Sequence, residues 1–232
     1  MIGVVERLWR YPVKSMRGEP LERVAFDGRG AIGDRLFAVR DEAGKFGSGK
    51  DTRRFRRIDG LFGIEARYDG ETPIVRFPDG SLMAGDDPRI HEALSRELGL
   101  PVTLAREAAV SHFDAGPLHL VTTSSLEALG LADEDAPRFR PNLVIRTEGA
   151  GFVEDEWLGG RMRLGEEVVV EIVQATERCR MIGLPQGGLP SLPTLLRKLA
   201  EGRNARLGVY ARVLKHGIVR LGDRLRFEPP PV

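Results

Sequence analysis

Cys179 is the single cysteine of the chain and stands between Arg178 and Arg180 in QATERCRMIGL, residues 174–184. Neighbouring cations favour the thiolate, the form that attacks electrophiles or binds a soft metal, starting from a free-thiol pKa of about 8.5. A lone cysteine also serves as a small buried hydrophobe, and this stretch by itself leaves both readings open. On an extended strand the two arginines point to the face opposite the sulfur, so they act on it only where the strand has broken into a loop. A second candidate is RFRPNLVI, residues 138–145, in which Pro141 fixes the backbone between Arg140 and Asn142 ahead of an apolar run. Such a pair forks onto a phosphate or the heteroatom edge of a ring, or simply caps the strand in solvent. Three weaker elements also suit an anion. Lys14 and Ser15 lie in YPVKSMRGEP, Arg35 lies in GDRLF, and VTTSS offers Thr123, Ser124 and helix-opening N–H groups.

Composition narrows what these residues can do. The 35 basic and 34 acidic side chains nearly cancel, so no global field draws the chain to nucleic acid or an anionic membrane, and anion recognition must be local. One cysteine excludes an internal disulfide, a four-cysteine zinc site and a cysteine-ligated iron–sulfur cluster. Redox chemistry would therefore need electrons from a separate protein. His91, His112, His119 and His216 show neither H-x-H nor H-x-x-x-H spacing, so no histidine metal site is expected. His112 and His119 read as two partly exposed residues flanking a strand. The start, MIGVVERLWRYPVKS, lacks the apolar core of a signal peptide and nothing later reaches membrane-spanning length, so the expected location is cytoplasmic.

The elements that must carry these residues are mostly short and β-rich, bounded by Gly, Pro or Asp, which predicts a mainly β fold of barrels with a few short helices. Predicted strands include VVERLWRY, ERVAF, RLFAVRD, TPIVRF, LHLVTT, PNLVIR, RMRL, EVVVEIV, GVYARVL and GIVRL; PDG and GE turns mark two hairpins. Helices are predicted in DPRIHEALSRELG, with Asp87 as cap and Gly99 as stop, in TTSSLEALG up to Gly130, and in SLPTLLRKLAEG up to Gly202. The packing-poor stretch EAAVSHFDAGP suggests two domains, residues 1–105 and 106–232. GDRL occurs at residues 33–36 and again at 222–225, by chance or as a shared turn that opens a strand.

The succession YPVKS, GDRLFAV, LHLVTTSSL, RFRPNLVI, FVEDEWLGGRMRLGE and ERC resembles, through nearly the whole chain, the MOSC family in its form with an N-terminal MOSC-associated β-barrel domain. That family includes the mitochondrial amidoxime-reducing component and the C-terminal domain of molybdenum cofactor sulfurase. The resemblance implies a cleft between two β-barrel-like domains that binds the molybdenum–molybdopterin cofactor, with the Cys179 thiolate as protein ligand to the metal. It further implies that Lys14, Ser15 and Arg35 hold the anionic pterin end, that Thr123 and Ser124 contribute from a helix start, and that Arg140 and Asn142 bind the cofactor beside the metal. Two stretches depart from relatives with amidoxime-reducing activity. Where such relatives carry a Thr or Arg-Gln pattern after the GDR strand, this chain has GSGKDTRRFRRIDG, with Ser48, Lys50 or Arg53 as substitutes, and GLPQGG follows the cysteine in place of an Asp-Pro turn. The implied activity is reduction of N-hydroxylated or N-oxide-like small molecules using a separate electron-transfer protein. The alternatives are a Cys179 persulfide carrier fed by a pyridoxal-phosphate cysteine desulfurase, and a non-catalytic cofactor-binding module.

Overall fold

The structure is a computed structural model that describes residues 2–230. Seven strands close into a barrel in the order Leu143–Arg146, Leu118–Thr122, Arg206–Lys215, Val168–Glu177, Arg161–Leu164, Arg224–Glu228 and Gly3–Arg10, the last pairing back onto Leu143–Arg146. Alternation drives the closure. Val168, Val170 and Ile172 face inward with Met162, Leu164, Leu118, Leu120, Val209 and Ala211, filling the barrel interior with aliphatic and Met side chains. Burying each of the larger ones contributes roughly 1.5–3 kcal/mol.

The N-terminal lobe is made of two small sheets. Phe37–Asp41 pairs along its length with Val102–Arg106 and is extended by Phe46–Ser48 and Phe55–Arg57. Glu65–Asp69, Thr72–Arg76 and Leu82–Ala84 form the other sheet. The helix Ile90–Leu98 lays Ile90 and Leu94 onto a core that includes Val13, Met16, Leu61, Val75 and Leu104.

The division near residue 105 is crossed by the chain. Gly3–Arg10 is a strand of the C-terminal barrel, and the ladder Arg23–Asp27 with Gly217–Arg220 adds Val24 and Phe26 to the barrel's core. Without the first strand the barrel would expose two edges, each a row of unpaired N–H and C=O groups. Chain termini of the two lobes are thus interleaved, which fixes the YPVKS loop directly against the barrel.

Two helix boundaries differ from expectation. The third helix, Leu195–Arg203, runs through Gly202 and stops where Asn204 turns left-handed at φ 50°. Asp87 lies three residues ahead of the helix start at Ile90, so its carboxylate accepts the N–H of Arg89, the cap residue, at 2.9 Å instead of capping the helix itself. The GDRL repeat is a shared turn: Gly33 and Gly222 take φ 83° and 79°, and each following aspartate accepts a backbone N–H, Asp34 from Tyr11 and Asp223 from Arg220, both at 2.8 Å. Among the described residues, no helix is long and apolar enough to cross a membrane.

Candidate functional site

A cavity of about 640 Å³ opens between the lobes, and Lys14, Ser15, Arg35, Arg140 and Cys179 all line it. Lys50, Asp114, His119, Gln174, Glu177, Arg178, Arg206 and Tyr210 complete its polar wall, which thus carries two carboxylates among its cations. Backbone strain concentrates here. Of the five described non-glycine residues with positive φ, three are Ser15 at 66°, Arg35 at 51° and Arg140 at 56°. Left-handed backbone costs such residues about 1–2 kcal/mol each and persists only where surroundings over-determine it. Ser15 Oγ donates to the Gly47 carbonyl at 3.0 Å, and the Arg35 guanidinium donates to the Asp34 carboxylate and, at 3.0 Å, to the Arg140 carbonyl. The buried Tyr11 ring takes both guanidinium groups, with Arg35 at 4.7 Å and Arg140 at 4.3 Å from its centroid.

The wall is electropositive at a cost. Burial drives Lys14 down to about 8 even though Asp114 sits 2.5 Å from its ammonium. Burial opposes ionisation of Asp114, and the Lys14 charge outweighs it, holding that carboxyl at about 2. Arg140, 5% exposed, falls to about 10 through burial and then through repulsion from Arg35, and its Nη2 has no hydrogen-bond partner. Burial likewise lowers Arg178, whose Nη2 donates to the Phe139 carbonyl at 2.6 Å while its Nε is unpartnered. Buried cations and orphaned donors of this kind are groups that a bound anion would satisfy.

Beyond Glu177 the strand breaks, and Cys179 stands half-buried at the head of a single tight turn, Arg180–Gly183. The two flanking arginines part there. Arg178 stays in the cavity within coulombic reach of Cys179, whereas Arg180 leaves to donate to the Gly49 carbonyl at 3.1 Å and to Asp59. Gln186, in the departing GLPQGG stretch, donates from Nε2 to the Met181 carbonyl at 3.0 Å and to the Arg138 carbonyl at 3.4 Å. One buried amide therefore ties the cysteine turn to the segment that presents Arg140.

Three expected residues lie outside this wall. Ser124 bonds the Thr122 and Thr147 hydroxyls, and the helix start is turned toward the buried Glu154, which accepts from Thr122 and Ser125 at 2.6–2.7 Å. Thr123 is half-buried on that short helix and is not part of the cavity. Asn142 is used as a clip: its Oδ1 accepts the His119 N–H at 3.1 Å and its Nδ2 donates to the Trp9 carbonyl at 3.3 Å. Asn142→Ala would orphan a buried N–H, so the urea midpoint of the cofactor-free protein is expected to fall by an amount equivalent to about 1–3 kcal/mol. An unchanged midpoint would deny the clip.

His112 and His119 are buried rather than partly exposed, because the strand starting at Leu118 is internal to the barrel and His112 packs edge-on against Phe46. Burial brings His112 down to about 4 and His119 well below the usual imidazole range. Their folded-state values lie below the unfolded ~6.5, so the unfolded chain takes up protons that the folded chain refuses. The stability of the neutral imidazoles is present above about 6.5 and lost as pH falls toward 4. Denaturation midpoints measured from neutral pH downward should drop by at most about 1.4 kcal/mol per pH unit for each histidine, and His112→Gln should flatten the profile.

Two profile matches decide the family. The MOSC domain matches residues 99–226, more than half of the chain, and the MOSC N-terminal beta barrel domain matches residues 2–81. The chain belongs to the MOSC family. No curated protein matches its sequence. Among solved structures, the YuaD protein from Bacillus subtilis shares 14% identity over 100% of this chain and 98% of its own, with a TM-score of 0.53, a likeness of fold. YiiM from Geobacillus stearothermophilus shares 19% identity over 65% of this chain and 68% of its own, with a TM-score of 0.39. MOSC domains are associated with the molybdenum cofactor, and the cavity of this MOSC chain places its only thiol among buried cations. Sequence reading named Lys50 and missed Asp114, Arg206 and Tyr210. No local pattern distinguishes these three from ordinary loop and strand residues, and the lobes bring them together only on folding.

Proposed function

We propose that this chain binds a molybdenum pterin cofactor in the interlobe cavity and reduces N-hydroxylated or N-oxide-like small molecules, with electrons from a separate protein. The observation that carries the binding is the half-buried Cys179 opening onto a wall in which Arg140 Nη2 and Arg178 Nε are buried without partners. The donor set fits such a group. Among the described residues no three His, Cys, Asp or Glu side chains gather around a metal position, so a metal here must bring its own ligands and take one thiolate from the protein. The cofactor, when bound, supplies the dithiolene-held metal at which oxygen is removed from nitrogen.

The chain's own residues do the rest. Lys14, Arg35 and Arg140 meet the anionic end of the cofactor, and Ser15 holds the loop that presents Lys14. Arg178, anchored by the Phe139 carbonyl, keeps positive charge beside the sulfur. Asp114 fixes the Lys14 ammonium by a charged hydrogen bond. The substrate class rests on the family resemblance of the YPVKS to ERC succession. Protein from a cofactor-synthesising host, supplied with benzamidoxime and reduced methyl viologen, is expected to yield benzamidine. A cyanide-labile addition of one sulfur to the intact mass, without benzamidine, would instead support the persulfide carrier, which the accessible thiol beside Arg178 also suits.

A further inference from the structure

Residues 50–57, KDTRRFRR, hold five cations and one carboxylate in a chain whose 35 basic and 34 acidic side chains nearly cancel overall. The single acid is consumed locally: Asp51 Oδ1 accepts the Arg57 N–H at 2.8 Å. Thr52 Oγ1 accepts the Arg54 and Phe55 N–H groups at 3.1 and 3.0 Å, which folds the loop into a fixed knuckle. Phe55 is its buried pin, with Lys14, Lys50 and Arg54 lying 4.8, 5.0 and 5.2 Å from the ring centroid. Arg53 and Arg56 are exposed, and among the described residues the loop makes one ion pair, Arg57 with Asp59. Arg54 is held inward, its guanidinium over Phe46 and Phe55 and donating to the Ser111 carbonyl, so the hydrogen-bonded loop presents Arg53 and Arg56 to solvent beside Arg57.

That surface adjoins the cysteine. Lys50 lines the cavity, and the Gly49 carbonyl just before it accepts from Arg180, the residue after Cys179. A Cβ placed on Gly49 would come within 3.2 Å of Met181 Cγ, so the Met181 side chain packs directly on the Gly49 backbone. The chain itself has no redox group beyond one thiol, and removing oxygen from an amidoxime takes two electrons: R–C(NH2)=NOH + 2 e⁻ + 2 H⁺ gives R–C(NH2)=NH + H2O.

We propose that residues 50–57 are the docking surface for an acidic one-electron carrier protein, which delivers the two electrons in two encounters while the protons come from solvent. The inference rests on the reductase reading for the electrons' purpose, though the surface stands on its own charge. Opposite charge steers brief encounters and raises their rate without requiring a large interface. Single-stranded nucleic acid is disfavoured because the loop's aromatic residue, Phe55, is buried and leaves no ring for base stacking.

The test uses Arg53→Glu/Arg56→Glu: both positions are exposed, and of the expected substitutes Lys50 lines the cavity whereas Arg53 does not, so neither changed residue belongs to the binding wall. Probes are an acidic [2Fe–2S] ferredoxin and a flavodoxin, with binding followed by calorimetry at low ionic strength and above ~0.15 M salt. Wild type is expected to bind at least one carrier, more weakly in salt. The double reversal should lose about tenfold or more in affinity and in carrier-driven benzamidoxime turnover, while viologen-driven turnover stays at the wild-type level. Equal carrier binding by wild type and variant, or no carrier binding while a single-stranded oligonucleotide binds, overturns the docking surface. Absence of viologen-driven turnover in wild type overturns the reductase reading instead, and the binding data still decide the surface.

Discussion

Arg140→Met is expected to raise the stability of the cofactor-free protein while nearly abolishing its capacity to hold the cofactor. Arg140 is buried with Nη2 unpartnered, repelled by Arg35, and brought down to about 10. That depression corresponds to a stored cost on the order of 3 kcal/mol, which methionine removes at similar length. Left-handed backbone at φ 56° remains in both proteins and cancels from the comparison. Loss of a charge-assisted contact to a buried anion costs about 2–5 kcal/mol, or some 30- to 5,000-fold in affinity. Urea unfolding of cofactor-free protein and molybdenum content after expression give the two readouts. A midpoint that falls together with metal content would make Arg140 an ordinary structural residue and remove it from the binding wall.

Cys179→Ser is expected to eliminate detectable turnover and to lower metal content, with the fold preserved. The position is half-buried at the head of a turn, and serine is close to cysteine in size, so the unfolding midpoint should move by an amount equivalent to about 1 kcal/mol or less. Hydroxyl is a poor substitute for a soft thiolate ligand. Since Cys179 is the only thiol, labelling with iodoacetamide reports occupancy of the same atom: cofactor-loaded wild type should resist alkylation and cofactor-free protein should accept it. Unfolding of the variant, together with metal-free wild type, would make Cys179 a packing residue.

Much of the fold was legible because period-two alternation marks inward-facing residues wherever one face is buried. The runs around Val168, Val170 and Ile172 and around Leu118 and Leu120 became barrel strands as expected. Alternation says which face is buried and nothing about which strand lies alongside. The pairing of Val5 with Ile145, 140 residues away, is therefore invisible in the sequence, and with it the interleaving of the lobes. The site divides the same way. Lys14, Arg35, Arg140 and Cys179 are charged or reactive residues in runs bounded by turns, and such residues gather at the cavity. Thr123, Ser124 and Asn142 looked equivalent because their donors and acceptors are the right kind. Their neighbourhood is already occupied by Glu154, the His119 N–H and the Trp9 carbonyl, distant in sequence. Asn204, which stops the third helix past Gly202, shows the same limit at short range, since either residue type can take the left-handed cap.

In the proposed function the interlobe cavity holds a molybdenum cofactor through Cys179. Elemental mass spectrometry on wild-type protein and Cys179→Ser, both made in a host that synthesises the cofactor, tests it most directly. About one molybdenum per chain in wild type, sharply reduced in the variant, is the predicted result. Wild-type protein without molybdenum from such a host, or equal content in both proteins, would contradict it.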